Sequence, residues 1–504
     1  MYVLAGVIEG LYTACVFILA LYGAQALWLT ILYLRSRRET PSTLSPVITL
    51  PPVTVQLPIY NERHVAERLI DACARLDYPA DLLQVQVLDD SDDNTSALVQ
   101  ARVAHWQQEG RRVEHIRRPV RRGFKAGALA DALPQAQGHF IAIFDADFVP
   151  PQNFLRDTLP HFIVSGNGCI GFVQARWGHL NRGYSWLTRS QALALDGHFV
   201  VEQTGRASSG FPFGFNGSAG IWRRTCLEDA RVGGWQPDTL CEDLDLSYRA
   251  QLAGWRGLYL DHVVAPAEIP VQLAAFTRQQ FRWAKGSVQT LRKLSGRVLG
   301  STWPWHKKIA ALFHMGNYLI HPIMLLLLLL SLPMHRLGVD PSRPLSWLGW
   351  MSFAPPLLYA VSQIRVAGHR WYRNWVYLPL LLLLGTGLCL NNTRAVFQAL
   401  RGHSGEFLRT PKFQVSSAAD SWRQSSYRLP LQPQLMAETA LLLYALLCIY
   451  AAGRAAHYWA IPFLAVYAAG YALIIGVELA QRWPAPPRPR TAHRLAPQTD
   501  RPRL

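Results

Sequence analysis

Phe140-Ile-Ala-Ile-Phe-Asp-Ala-Asp147 is the stretch on which the reading of the fold turns. Residues 140–144 are apolar and, apart from Ala142, β-branched or aromatic, so they read as a buried strand. The strand closes in the pair Asp145 and Asp147. On an extended chain, positions two apart face the same side, so both carboxylates reach one cation. Two hard oxygen ligands with open positions suit Mg²⁺ or Mn²⁺ shared with a diphosphate. The pattern Asp-x-Asp occurs three times (Asp90/Asp92, Asp145/Asp147 and Asp243/Asp245), and alone it describes a solvated turn equally well. The strand end is what favours the metal reading for Asp145 and Asp147. Working outward, residues 53–57 and 85–88 are two further strand-like runs ending in polar residues. Between them lies a helical pattern over 62–76, with Val65, Leu69, Cys73 and Leu76 on one side. Strand–helix–strand alternation predicts an α/β domain with a parallel, Rossmann-like sheet. In such sheets ligands sit beyond the carboxyl ends of the strands, where the acidic clusters lie.

The whole chain has 504 residues, 50% of them hydrophobic and 16% charged. A soluble globular protein carries roughly a quarter charged residues, so the deficit points to a membrane. Apolar runs at 11–34, 309–332, 345–364, 375–390, 435–452 and 458–477 are the candidate membrane elements. The first is too long for a signal-peptide core, and no small-residue cleavage site follows it. The net charge of +17 fits lipid headgroups and a phosphorylated, nucleotide-linked substrate. No nucleic-acid-binding motif accompanies it. Seven cysteines without a CxxC pair fit a reduced compartment with neither a disulfide frame nor a zinc site.

Basic residues near the span ends set the sidedness. Arg35, Arg37 and Arg38, then Lys307 and Lys308, then Arg365, Arg370 and Arg373 all fall on the cytosolic side if the N-terminus is outside. The basic stretch 394–428 would lie outside if 375–390 crossed the bilayer. That run is therefore expected to be interfacial or re-entrant, leaving five true spans. The expected organisation is a transmembrane helix over 1–38 and a cytosolic catalytic domain over 50–300. Two transmembrane helices follow over 301–366, an interfacial element and loop over 367–430, and a helix pair over 431–480. A disordered basic tail over 481–504 closes the chain.

Several polar groups in the 50–300 segment carry chemistry. Asp89 and Asp90 close the second strand, where a carboxylate accepts from a nucleobase imide or a ribose hydroxyl, or caps a turn. Arg121-Arg-Gly-Phe-Lys125-Ala-Gly127 is a basic turn leading into a helix, and Lys125 can neutralise phosphate charge. Phe213-Gly-Phe-Asn216-Gly217 admits close backbone approach, and Asn216 can bond a sugar hydroxyl. Cys241-Glu242-Asp243-Leu-Asp245 offers a base, Asp243 first and Glu242 next, or acids that favour a helix N-terminus. In Gln279-Gln-Phe-Arg282-Trp283, helical spacing puts Gln279, Arg282 and Trp283 on one face. Arginine suits a bidentate phosphate contact and tryptophan a sugar ring, although an interfacial helix with a Trp anchor reads the same way.

These pieces, in this order, resemble the membrane-bound family-2 glycosyltransferases, the group of cellulose, hyaluronan and chitin synthases. Within it they are most similar to the cellulose-synthase-like A and C proteins that make mannan and β-glucan backbones. The matching stretches are Gln56-Leu-Pro58-Ile-Tyr60-Asn-Glu62, Leu88-Asp-Asp90, Lys125-Ala-Gly127, Asp145-Ala-Asp147, Phe215-Asn-Gly217, Glu242-Asp243 and Gln279-x-x-Arg282-Trp283. Gly405-Glu-Phe407-Leu-Arg409-Thr410-Pro-Lys412 is similar to the family's gating loop.

The resemblance implies a GT-A fold, an inverting and processive transfer of hexose, and a β-linked polysaccharide, β-1,4 glucan or mannan, passed across the membrane. Pro58, Tyr60, Glu62, Asp89 or Asp90, Lys125, Asp145, Gln279, Arg282, Thr410 and Lys412 would hold the nucleotide sugar, UDP-glucose or GDP-mannose. Asp145 and Asp147 would hold Mg²⁺ or Mn²⁺, and Asp243, beside Glu242, would be the base. Asn216, Gly217 and Trp283 would bind the growing polysaccharide acceptor. The chain would be a multi-pass membrane protein among lipids, in a bacterial inner membrane or a Golgi membrane. Cys241 stands where the family often has threonine. With about 25 residues after the last span, no cyclic-di-GMP-binding domain is expected. The rival readings are a non-processive lipid glycosyltransferase, separated by a short product, and a non-catalytic nucleotide-sugar-binding export or scaffold protein, separated by the lack of turnover.

Overall fold

The computed structural model describes residues 2–36, 50–164, 167–339, 346–403, 409–415, 420, 422, 423, 425, 427, 429, 430 and 434–482. Arg37, Arg38, Phe407, Arg428 and the tail from 483 onward lie outside the described residues.

Seven strands form one sheet: β1 (Val53–Ile59), β2 (Leu83–Asp89), β3 (Val113–Arg117), β4 (Phe140–Ile143), β5 (Ile170–His179), β6 (Gly220–Arg223) and β7 (Arg256–Ala267). Their order is β3-β2-β1-β4-β6-β5-β7. The expected parallel sheet is corrected here to a mixed one, because β6 runs antiparallel to both β4 and β5. Residues 213–219 carry the chain to the carboxyl end of β4, so β6 must start there and run back. The GT-A-like α/β class stands; the direction of this four-residue strand was not legible in its sequence.

Burial explains the central strands. β1 is buried at every position except Pro58, and β2 throughout. A strand covered on both faces has no polar alternation to show. Its polar residues must then find partners inside. They do, as Thr54 Oγ1 donates to Gln84 Oε1 at 2.7 Å and Gln56 Nε2 to Gln86 Oε1 at 3.0 Å. The helix expected over 62–76 is shorter, Ala66–Ala74, but Val65, Leu69, Cys73 and Leu76 are all in the core as the pattern required.

Among the described residues, four helices are long and apolar enough to cross a membrane: Tyr2–Arg35, Asn317–Arg336, Leu435–Arg454 and Tyr458–Ala480. A fifth element is a bent pair, Leu348–Gly387 and Cys389–Leu400, meeting at 45°. The run 309–332 is not one helix. Trp305–Met315 ends at Gly316, and a 3₁₀ turn at Asn317–Leu319 leads into Ile320–Arg336. Likewise 345–364 opens in a 3₁₀ segment, Ser346–Phe353, before the helix Ala354–Ala367. The run 375–390 falls inside the bent pair.

The sheet is joined to these elements through two helices. Trp186–Asp196 continues into a π-helical turn at Gly197–Gln203 that packs against Leu358 and Tyr359. Leu273–Gly300 packs along Cys389–Leu400, with Val288 against Val396 and Ala399. The carboxyl ends of the strands therefore open toward the apolar helices.

Candidate active site

One cleft lies at those carboxyl ends, and nearly every polar group singled out from the sequence lines it. Pro58, Tyr60 and Glu62 come from the end of β1, Asp90 from the end of β2, and Asp145 and Asp147 from the end of β4. Lys125 opens the helix Phe124–Ala132, Glu242 and Asp243 open Glu242–Leu252, and Gln279, Arg282 and Trp283 face in from Leu273–Gly300. Asn216 and Gly217 enter from the loop before β6, and Thr410 and Lys412 from a segment far along the chain from these helices.

Asp89 does not line the cleft. It is buried, with Oδ2 2.9 Å from His115 Nε2 and Oδ1 accepting from the Ser91 amide at 2.9 Å. Those bonds, acting against burial, hold its carboxyl down at about 2. Of the two adjacent acids, Asp90 is the one that lines the cleft. Its two oxygens accept from Arg118, Nε at 3.0 Å and Nη2 at 2.5 Å, which fixes the carboxylate in place.

Lys125 is the electrostatic centre. Its Nζ lies 2.5 Å from Asp145 Oδ1, 3.6 Å from Glu242 Oε1, and donates to Gly217 O at 2.8 Å. Burial works against the charge, but Asp145 and Glu242 outweigh it and raise the lysine above its ordinary value. Burial likewise raises Asp145, against the pull of Lys125.

Asp243 sits in the first turn of its helix with Oδ1 accepting from the Leu244 amide at 2.8 Å. Burial and the neighbouring Glu242 carboxylate push it up to about 7. A carboxylate poised there can take a proton at neutral pH and is a stronger base than an ordinary aspartate. Asp245, two residues on, is different. It is fully buried and paired with Arg249 at 2.8 Å and Lys293 at 3.1 Å, so it holds the helix in place. The acidic cluster thus divides: Asp243 faces the cleft and Asp245 the protein.

Asp145 and Asp147 bring two carboxylates to one strand end, and the Asp145 amide is anchored by Ser218 Oγ at 2.9 Å. Each carboxylate faces an ammonium group, Lys125 on Asp145 and Lys412 on Asp147. Carboxylates are hard oxygen ligands of the kind Mg²⁺ and Mn²⁺ take, and Lys125 and Lys412 are the groups such an ion would compete with for them. No group of three His, Cys, Asp or Glu side chains could complete a cation site from protein alone among the described residues.

The segment 409–413 is fastened from several sides. Lys412 also donates to Glu268 O at 2.5 Å, and the Phe413 amide donates to Glu268 Oε1 at 2.9 Å. Arg409 pairs with Glu62 at 3.1 Å and stacks on Tyr427 at 3.8 Å. Burial nevertheless pushes Glu62 up to about 8. Among the lining residues that carried no assignment from the sequence are Arg121, Arg409 and Trp177. Arg121 lies 3.4 Å over the Tyr60 ring. Both arginines lay within motifs already marked as basic, which was the available signal; Trp177, two residues before the end of β5, was not marked by any motif.

A family model described as glycosyltransferase like family 2 matches residues 51–286. Probable glucomannan 4-beta-mannosyltransferase 3 of Oryza sativa subsp. japonica is 35% identical over 361 residues, covering 70% of this chain and 63% of the relative. Glucomannan 4-beta-mannosyltransferase 7 of Arabidopsis thaliana is 36% identical over 327 residues, covering 62% of this chain and 57% of the relative. The chain spans between 43% and 63% of the length of the curated relatives it matches. A mannosyltransferase from Pyrobaculum calidifontis, solved in complex with GDP-Man and Mn²⁺, superposes with a TM-score of 0.53 at 21% identity, covering 79% of this chain and all of that one. At that identity the likeness speaks for the fold.

Proposed function

Residues 51–286 form a family-2 glycosyltransferase domain, and on that premise we propose that the chain transfers mannose from GDP-mannose to the end of a β-linked polysaccharide. The observation that carries the reading is the meeting, in one cleft, of a base candidate at Asp243 with the cationic groups Lys125 and Arg282 and the aromatic Trp283. GDP-mannose is favoured over UDP-glucose by the mannosyltransferase names of both plant relatives.

The chemistry is a single displacement with inversion. Asp243 takes the proton from the acceptor hydroxyl as that oxygen attacks the anomeric carbon. The bond from the anomeric carbon to the diphosphate breaks, and Lys125 and Arg282 stabilise the charge that develops on the departing oxygen. Asp145 and Asp147 would hold Mg²⁺ or Mn²⁺, which when bound neutralises diphosphate charge. Trp283 offers the acceptor sugar a flat apolar face, and Thr410 and Lys412 cover the donor and exclude water.

The four apolar helices are compatible with a membrane protein, and the catalytic domain takes the cytosolic side in this reading. Two contacts support five crossings. Lys412 on Asp147 ties the segment after the bent pair to the catalytic side. His335 Nδ1 lies 3.0 Å from His457 Nδ1, which puts the far end of Ile320–Arg336 beside the turn between the last two helices. The bent pair then makes one net crossing.

The deciding experiment is nucleoside-diphosphate release by the detergent-purified chain, with GDP-mannose and UDP-glucose in parallel and Mg²⁺ or Mn²⁺ present. Release from GDP-mannose, lost with chelator and with Asp243→Asn, and accompanied by a mannanase-sensitive polymer, is the expected result. A single-sugar lipid product would replace the polymerase reading, and release from UDP-glucose alone would replace the donor.

A further inference from the structure

Asn216 lines the cleft, and its side chain is held by a chain of hydrogen bonds whose direction can be read from one end. Gln203 Nε2 donates to the backbone oxygen of Gly214 at 2.9 Å and to Asn216 Oδ1 at 2.7 Å. A carbonyl oxygen can only accept, so Gly214 fixes the Gln203 amide, and Gln203 in turn fixes that of Asn216. Asn216 Nδ2 must then donate to His198 Nε2, 3.2 Å away. An accepting Nε2 leaves the imidazole proton on Nδ1, which lies 2.9 Å from Glu202 Oε2. Each donor meets an acceptor, with one tautomer throughout.

The scaffold for this chain is unusual. His198, Glu202 and Gln203 all sit on the π-helical turn Gly197–Gln203, a form that is rare and concentrated at functional positions. The turn is pinned from the membrane side by Tyr359, against which Gly197 packs too closely for a side chain. Gln203 is fully buried, whereas His198 and Glu202 remain partly open, at 28% and 30% side-chain exposure. Partly open polar pairs are seldom retained for stability, since such a contact contributes little to folding.

We propose that His198, oriented by Glu202, is a positioning residue for the acceptor: it holds the Asn216 amide so that its second N–H and its remaining oxygen lone pair face an incoming sugar hydroxyl. The inference rests on the reading of Asn216 as an acceptor contact. A half-buried amide held in one orientation discriminates hydroxyl geometry, whereas a freely rotating one would accept either. The device thus selects the acceptor sugar and leaves the donor end of the cleft alone.

The test uses the full chain in detergent, GDP-mannose as donor and a β-1,4-linked mannooligosaccharide as acceptor. His198→Ala is expected to raise the acceptor KM about three- to tenfold, the value of one neutral hydrogen bond, with the donor KM unchanged. His198→Gln should recover most of the loss, because its amide oxygen can accept from Asn216 Nδ2. Glu202→Ala should behave like His198→Ala and Glu202→Gln like the unaltered chain. Asn216→Ala, run beside them, separates the two claims. If it raises the acceptor KM and His198→Ala does not, the positioning role is overturned. If it leaves the acceptor KM unchanged, the acceptor reading of Asn216 falls and the proposal with it. Equal rises in donor and acceptor KM would mark a general structural defect and also overturn the proposal. Calorimetric binding of the same mannooligosaccharide without donor should give the same ranking of variants; a flat ranking would overturn it independently of turnover.

Discussion

Gly217 stands so close to Asp243 that a β-carbon on it would lie 2.7 Å from Oδ2. The same atom would lie 3.3 Å from Lys125 Nζ, and the backbone at Gly217 is left-handed, with φ +79°. A glycine is therefore required twice here, for conformation and for space. Gly217→Ala must either strain the loop or push the Asp243 carboxylate aside. A displacement near 1 Å at a reacting group costs on the order of a hundredfold in rate. We expect kcat to fall by about that factor while the fold is kept, since the atoms nearest a β-carbon at Gly217 belong to the cleft side chains Asp243 and Lys125 and not to the apolar core; an unaltered kcat would separate Gly217 from the base.

The raised position of Asp243 gives the reaction a pH limb. Burial and Glu242 push its carboxyl up to about 7, so below that value it is protonated and unable to accept the hydroxyl proton. The rate under saturating donor should rise about tenfold per pH unit up to near pH 7 and then level off. Asp243→Asn should remove the limb together with about 10²- to 10⁴-fold of the rate. A limb that persists in the Asn variant would assign it to another group.

Lys125 supplies a second test of the same electrostatics. Its charge lowers the proton affinity of Asp243, opposing burial and Glu242. Lys125→Met keeps the length of the side chain and removes the charge, leaving Asp145, Glu242 and Asp243 together without their ammonium. The acid limb should move to higher pH, and the donor KM should rise because a phosphate-neutralising charge is gone. A pH profile recorded at saturating donor distinguishes the shift from simple loss of binding; a limb that stays near 7 would show that Lys125 does not act on the base.

Much of this site was legible in the residues because strand ends punctuate themselves. Asp90 and the Asp145/Asp147 pair follow apolar runs directly, so each acid could be placed at the mouth of the sheet before any contact was known. Helical spacing did the same for Gln279, Arg282 and Trp283. What stayed hidden depended on direction and on distance along the chain. Nothing in Asp89-Asp90 says which acid turns outward, since that is decided by His115 on the neighbouring strand. Asp243 and Asp245 look alike in sequence, and only Arg249 and Lys293 mark the second as structural. The break of the 309–332 run at Gly316 is similarly set by packing, since the glycine lies against Leu312, Leu319 and Leu291.

The path of the chain through the bilayer can be tested at two positions. Arg401 is exposed just after the bent pair, and residues 409–412 that follow it lie against the catalytic domain. His457 sits in the turn between the last two apolar helices, beside His335 at the end of Ile320–Arg336. Tyr458 and Trp459, which follow, are 65% and 81% exposed, as aromatic residues are at a membrane interface. If the bent pair makes one net crossing, Arg401 lies on the side of the catalytic domain, and His457, beyond Leu435–Arg454, on the other. Single-cysteine variants Arg401→Cys and His457→Cys, in a chain freed of its seven native cysteines, should be labelled by an impermeant maleimide from opposite faces of sealed vesicles. Arg401→Cys should react from the face that also exposes the catalytic domain to protease. Labelling of Arg401→Cys from the face opposite the catalytic domain, with His457→Cys then on the catalytic side, would mean that the bent pair enters and leaves on the same side, and that four helices complete the span count.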